Sequence, residues 1–410
     1  MTPTDRPALR RFLHTARAQQ TALLADLVRT PSDNPPGDCA PHAARTAELL
    51  EGLGLAVERH PVPPALVAAH GMKSVTNLVV RRRFGEGGPV VALNAHGDVV
   101  PPGEGWTADP YGAEIRDGWM YGRGVAVSKS DIATYAFALL ALDHAGAPLR
   151  GAVELHVTYD EETGGEIGPR WLLEQGISRP TLAIGAGFSY AVVEAHNGCL
   201  HLEVEVTGRS AHAAKPWTGV DALAGATRIL AALYAWRPAL AARASAIPGI
   251  GVPQLTVGLI AGGINTNVVP DRITFRLDRR IVPEERPEAV EAELRAVIEG
   301  AAAGVAGLGV AVRRILLAAP LTPLPGGAAL TALLCAHATR VMGEAVAPSG
   351  VPLYTDARHY AAAGVPIALY GAGPRSIEEA NAHRADERLP LDDLYRATEV
   401  VALTLADLLA

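Results

Sequence analysis

The sequence predicts an α/β protein: a mostly parallel sheet with helices on both faces, interrupted by an inserted α+β domain of the split β-α-β type. Three observations carry this. Up to about residue 198, short β-branched runs alternate with longer helical ones, the signature of a parallel sheet covered on both sides. From about Gly198 the order becomes strand, helix, strand, strand, helix, strand. After about residue 317 the first rhythm returns, so segments 1–198 and 317–410 form one domain and 199–316 a second one inserted into it.

The elements follow in order. "VVALNAH" (Val90 to His96) and "AVELHVTY" (Ala152 to Tyr159) are apolar runs of strand length. Between them "SDIATYAFALLALDHAG" (Ser130 to Gly146) places apolar residues at helical spacing and stops at a glycine. In the insertion, "CLHLEVEVTG" alternates with period two, "VDALAGATRILAALYAW" is helical, and "QLTVGLIAGG" and "RITFRLDRRIV" are strands. The next helix, "PEERPEAVEAELRAVIEGAAA", is opened by Pro283, and "GVAVRRILL" closes the set. "GVPIALYG" supplies a late strand of the outer domain.

Composition narrows the class. With 410 residues, 49% of them hydrophobic, the chain can fill two cores. A net charge of −7, from 36 basic and 43 acidic residues without like-charge runs, points to small-molecule partners and away from nucleic acid. "MTPTDRPALRRFLHTARAQQ" lacks an apolar core for a signal peptide, and no stretch reaches the about 18 apolar residues of a membrane span. A cytoplasmic protein with no membrane contact is expected. Cys39, Cys199 and Cys335 form no C-x-x-C pair, so a disulfide framework or zinc ribbon is not indicated.

Ligands of open α/β sheets gather beyond the carboxyl ends of the strands. Two strands end in residues with chemistry: "VVALNAH" runs into Gly97-Asp98, and "AVELHVTY" into Asp160-Glu161-Glu162. The spacing of His96 and Asp98 lets the carboxylate orient the ring. Two adjacent glutamates can divide cation binding and proton transfer. Taken singly, an H-x-D is more often a hydrogen-bonded histidine and an acidic run a solvated loop. At two strand ends together they mark a candidate site.

Six stretches in order, "HGDVVPPGEGWTADPYGAEIRDGWMYGRG", "TYDEETGG", "TGRSAHAAKPWTGVDAL", "GGINTNVVPDRITFRLDRRIVP", "YTDARHYAAAGVP" and "NAHRADERLPLDDL", resemble the co-catalytic zinc amidohydrolases. That family includes acetylornithine deacetylase, succinyl-diaminopimelate desuccinylase, the aminoacylases and glutamate-releasing carboxypeptidases. The resemblance makes 1–198 and 317–410 the catalytic domain and 199–316 a lid or dimerisation domain, and it implies a homodimer. It also implies a site in which His96 binds one zinc, Glu162 and His383 the other, and Glu161 is the general base. Asp98 would orient His96, and His212 would stabilise the oxyanion. Asn267, Arg280 and Arg358 would hold the carboxylate or carbonyl of the substrate.

The resemblance fails at two places. The family pattern G-R-G-x-x-D-x-K-G carries the aspartate that bridges the two metals. Gly122, Arg123, Gly124 and Lys129 keep its register, but Val127 occupies the aspartate position. A second family ligand, an acid before the strand that leads to the lid, falls on Ala186 or Gly187. Asp131, one helical turn beyond Val127, is the nearest acid in sequence. Without negative charge between them, two zinc ions about 3.5–4 Å apart repel. The expectation is therefore no metal or one weakly bound zinc.

Three functions are consistent with these residues. The first is an amidohydrolase or peptidase-type enzyme acting on a small, carboxylate-bearing N-acyl amino acid or peptide-like substrate with a degraded di-zinc centre. The second is a metal-independent enzyme of another class, a lyase, isomerase or acyl-transfer and condensation enzyme, on an amino-acid-derived substrate. The third is an inactive ligand-binding homologue.

Overall fold

The computed structural model describes residue 4 and residues 6–410; Met1 to Pro3 and Asp5, part of the N-terminal stretch read above, lie outside the described residues. Among the described residues no helix is long and apolar enough to cross a membrane. Two compact units are present. The first comprises residues up to Glu194, Pro323–Ser349 and Thr355–Ala410, and the second Ala195–Thr322 with Gly350–Tyr354.

An eight-stranded sheet has the order Val57–Pro61, Thr76–Gly85, Gly151–Thr158, Val90–His96, Leu182–Gly185, Ile367–Leu369, Val192–His196, Pro348–Val351. Its four central strands pair in parallel, and the flanking pairs Val57–Pro61 with Thr76–Gly85, and Thr76–Gly85 with Gly151–Thr158, are antiparallel. Every residue of Gly151–Thr158 is buried, so both faces of the sheet are covered there. In the central register His96 lies beside Thr158, which brings the carboxyl ends of these strands together. The chain leaves one strand into Asp98 and the other into Glu161–Glu162, side by side.

The helix Lys129–Ala141 is buried almost all round, and it packs against the helices Pro7–Arg29 and Leu391–Leu408. It stops as expected near Gly146, through a 3₁₀ turn at Leu142–His144. Gly146, at φ +74, takes the left-handed conformation that ends the segment.

The second unit is a four-stranded antiparallel sheet in the order Leu255–Gly262, Arg272–Ile281, Gly198–Thr207, Gly309–Ala318. Alternation separates its faces. Leu200, Leu202, Val204 and Val206 join Ile273, Phe275 and Leu277 under the helices Ala222–Trp236 and Pro287–Ala302. The opposite face carries His201, Glu203, Glu205, Arg276, Asp278 and Arg280, with Arg276 and Arg313 paired to Glu203. Asp221 caps the first helix through the amides of Leu223 (2.8 Å) and Ala224 (3.0 Å). The second helix begins at Pro287 and not at Pro283. The chain turns first, because Glu285 accepts hydrogen bonds from the Val282 amide (3.2 Å) and the Arg279 guanidinium (2.6 Å). Pairing of Gly309–Ala318 with Gly198–Thr207 continues to Ala318, which places residues beyond 316 in this unit.

Candidate active site

At the carboxyl end of the central strands, a single carboxylate organises the cluster. Asp98 is fully buried and accepts hydrogen bonds from the Asn34 amide (3.0 Å) and from the backbone amides of Glu161 (3.3 Å) and Glu162 (3.2 Å). Its Oδ1 lies 3.3 Å from Nδ1 of His96, and the same nitrogen lies 2.9 Å from the Asp98 carbonyl. With Nδ1 occupied in this way, Nε2 is turned towards Glu161, 3.9 Å from Oε2. One donor atom each from His96, Glu161 and Glu162 lies within 4.8 Å of the others. His383 completes the group, its Nε2 3.5 Å from Glu162 Oε1, with the imidazole 56% exposed.

Charge crowding shapes the proton affinities. Burial pushes Glu161 up to about 8, helped by the Glu162 and Asp98 charges and opposed by His96. For His96, burial acts downwards, but the hydrogen bond to Asp98 and the charges of Glu161 and Glu162 win, and the imidazole lies well above its ordinary range. The hydrogen bond to Glu162 raises His383 too. Asp160 and Asp356, both buried beside this group, are raised well above the carboxylate range, first by burial and then by neighbouring acids.

Behind the glutamates, the helix Ala357–Ala362 braces their turn. Arg358 donates to the Gly164 carbonyl and to Glu166 Oε1 (3.3 Å), and His359 Nε2 lies 2.9 Å from the same carbonyl. Arg358 thus holds the loop that carries Glu161 and Glu162. The segment Gly122–Lys129 lies over His96. The Ser128 hydroxyl accepts from the His96 amide (3.0 Å) and donates to its carbonyl (3.3 Å), while Val127 packs against the hydrophobic core. Gly124, at φ +80, leaves no room for a side chain: a Cβ would come within 2.4 Å of Val99.

What secures this loop is an ion pair that sequence reading did not single out. Arg123 and Glu387, each about 1% exposed, are joined at 2.6 Å. Glu387 also accepts from the amides of Ala126 (3.0 Å) and Val127 (3.3 Å), and Arg123 donates to the carbonyls of Pro102 and Arg384. The loop bearing Val127 is thereby tied to the segment following His383. Both residues stand inside the quoted motifs, yet nothing in their spacing signals that they meet. Asn34 was missed for the same reason.

Asp131 points elsewhere. Its Oδ1 accepts from the Ala372 amide (2.8 Å), with the Gly187 amide as a further donor, and a Cβ at Gly371 would collide with it at 1.8 Å. It ties two strand-end loops together and is absent from the donor cluster of His96, Glu161 and Glu162. Burial raises it to about 7. Lys129, also buried, donates to the Thr30 carbonyl (3.0 Å), and burial lowers it to about 7.

In the second unit, His212 and Asn267 are exposed and adjacent: His212 bridges Val268, and the Ala213 amide donates to the Asn267 carbonyl (3.0 Å). The His212 Nδ1 accepts from the Ala214 amide (3.0 Å), so a neutral ring carries its proton on Nε2. Arg280 is half-buried, with Nε donating to Asp278 (3.1 Å) and its guanidinium over the Tyr354 ring.

A parallel sheet whose strand ends bring together a histidine, an aspartate and two glutamates offers donors for a metal ion and groups for proton transfer. Residues 92–407 match the model of Peptidase family M20/M25/M40, and the chain belongs to that family, whose members are hydrolases acting on C–N bonds. It is 30% identical over 398 residues to a succinyl-diaminopimelate desuccinylase of Rhodospirillum centenum, covering 92% of this chain and 94% of that one. It is 29% identical over 362 residues to an acetylornithine deacetylase of Myxococcus xanthus, covering 87% and 89%. Among solved structures, the di-peptidase Dug1p of Saccharomyces cerevisiae superposes with a TM-score of 0.78 at 13% identity over 98% of both chains. The M20 family metallo-carboxypeptidase Sso-CP2 of Sulfolobus solfataricus gives 0.76 at 17%, covering 95% and 98%.

Two outcomes are expected. Arg123→Met strands the buried Glu387 charge and lowers unfolding free energy by about 3–5 kcal/mol; the double variant Arg123→Met with Glu387→Leu recovers part of the loss in urea denaturation. Asp131 has a folded pKa above its unfolded value, so its ionisation penalises the folded state progressively as pH rises from about 4 to about 7. Asp131→Asn keeps an acceptor for the Ala372 amide. Its melting temperature relative to wild type therefore rises between pH 5 and pH 8, and a pH-independent difference would refute the raised pKa.

Proposed function

We propose that this chain hydrolyses the amide bond of a small, carboxylate-bearing N-acyl amino acid or peptide-like substrate, with Glu161 as general base and a metal centre reduced to at most one zinc. The observation that carries the reading is the strand-end cluster in which Asp98 fixes both the His96 ring and the Glu161–Glu162 backbone. The names of the similar desuccinylase and deacetylase support acyl-amide chemistry.

The donor set supports a single divalent cation in this reading. Nε2 of His96 and the Glu161 and Glu162 carboxylates converge, and His383 stands against Glu162. A second cation needs a carboxylate between the ions, and Val127 offers only methyl groups at that position. Gly187, at the other departure, admits no side chain: a Cβ there would lie 2.8 Å from the Tyr370 amide. Asp131, the nearest acid to Val127, is engaged by backbone amides. His96 and Glu162 would hold the single cation, with His383 beside Glu162 as a further donor, and the ion when bound would polarise the scissile carbonyl and acidify water.

The remaining roles belong to the chain itself. Asp98 keeps His96 in one orientation. Glu161 takes the proton of the attacking water and returns it to the leaving nitrogen. His212 is assigned the oxyanion donor on the strength of its protonated Nε2, and Asn267 and Arg280 are assigned to the substrate carboxylate or carbonyl. Arg358 is assigned to the same recognition, though its hydrogen bonds to Gly164 and Glu166 fit a positioning role. The assembly proposed is a homodimer in the cytoplasm.

A second reading rests on the raised affinity of Glu161: a base near neutrality without a metal also suits proton abstraction beside a carbonyl, as in a lyase or isomerase. The pH profile separates the two. Without a cation, activity rises with pH through about 8 as Glu161 ionises, whereas a cation beside it shifts that limb to lower pH. Glu161→Gln is expected to lower kcat on N-acetyl and N-succinyl amino acids by about 10²–10⁴ with ligand binding retained. Undiminished turnover would remove Glu161 from the reaction. Anomalous diffraction at the zinc edge is expected to show no more than one peak beside His96, and a pair of peaks next to Val127 would overturn the reduced centre.

A further inference from the structure

On the helix-free face of the sheet in the second unit, three side chains of different chemistry converge. Cys199 and His201 stand two residues apart on one strand, hence on the same face, and Asp278 lies directly opposite His201 on the neighbouring strand. The Cys199 thiol is 3.1 Å from His201 Nε2 and 3.5 Å from Asp278 Oδ2, and His201 Nε2 is 2.9 Å from that same oxygen.

The trio has the composition of a nucleophilic triad and the wrong geometry for one. In a triad the imidazole uses one nitrogen for the nucleophile and the other for the carboxylate. Here Nε2 alone faces both. Three donor atoms that each approach the other two surround a common point, which is how ligands of one ion are arranged.

We propose that Cys199, His201 and Asp278 form a binding site for a single thiophilic divalent cation of the zinc class. A tetrahedral zinc with bonds of about 2.0–2.3 Å separates its sulfur, nitrogen and oxygen ligands by about 3.3–3.6 Å. The observed separations need to open by only a few tenths of an ångström. The outer shell is in place as well: Arg280 Nε donates to the other Asp278 oxygen (3.1 Å), so Oδ2 remains for the ion. Thiolate and carboxylate together carry two negative charges and Arg280 one positive, leaving a net attraction for a dication. Cys199 is buried, but the His201 and Asp278 side chains are 34% and 29% exposed, which gives the ion an entry path and leaves a fourth position open to water. Three protein ligands with one open position is the pattern of reactive or ligand-accepting zinc rather than of a closed structural knot. The site contains none of the strand-end residues of the first unit and stands or falls independently of them.

Cobalt(II), titrated into the reduced full-length protein, distinguishes this site from the strand-end cluster, because only a thiolate ligand produces sulfur-to-cobalt charge-transfer absorption in the near ultraviolet. One equivalent per chain is expected to develop that band, and zinc to abolish it by displacement. Cys199→Ser removes the band. His201→Gln, at a partly exposed ring where folding is least at risk, lowers the apparent cobalt affinity at least about tenfold with the thiol still present. His96→Gln leaves the band intact. Absence of the band in the wild type overturns the proposal, as does a band that survives Cys199→Ser, which would assign the thiolate to Cys39 or Cys335.

Discussion

The site rests on burying the Asp98 carboxylate without exposing it to water. An ionised carboxylate in the interior is tolerable only when its lone pairs are filled, and here the Asn34 side chain, two consecutive backbone amides and the His96 ring fill them. Each of those donors is thereby fixed in place. The imidazole orientation, the direction of the Glu161–Glu162 turn and the position of the loop at Asn34 all follow from satisfying one charge. The parallel register that sets His96 beside Thr158 makes this possible, since it brings the two strand ends within reach of the same side chain.

Around that anchor the electrostatics are unbalanced. Asp98, Asp160, Glu161, Glu162 and Asp356 crowd one imidazole, and burial with mutual repulsion raises Asp160, Glu161 and Asp356 together. A cation or bound protons must offset such crowding. The loop carrying Val127 needs neither, because Arg123 and Glu387 hold it through a buried ion pair with the loop amides as additional donors. The backbone of this loop is thus kept in position by a buried ion pair and amide donors of the protein itself.

Local pattern made the strands, the helix Lys129–Ala141 and the pairing of His96 with Asp98 readable, because each involves residues within a few positions or one period of one another. Pro283 and Pro287 both suit a first helical turn, and the helix starts at Pro287 because Glu285 bonds back to Val282 and across to Arg279. Asp131 could be counted as the acid nearest Val127 along the chain, but its direction was set by amides at Ala372 and Gly187, far away in sequence. Arg358 is tied to the Gly164 carbonyl for a similar reason.

By itself, then, the sequence determined the fold class, the split insertion and the strand-end acids, since periodicity and residue identity are written along the chain. Only the tertiary structure decided which polar groups meet. Arg123 finds Glu387 across 264 residues, Asn34 finds Asp98 across 64, and Cys199 finds Asp278 across 79. Such meetings depend on strand register and loop packing, which place residues that carry no mark of their partners within hydrogen-bonding distance.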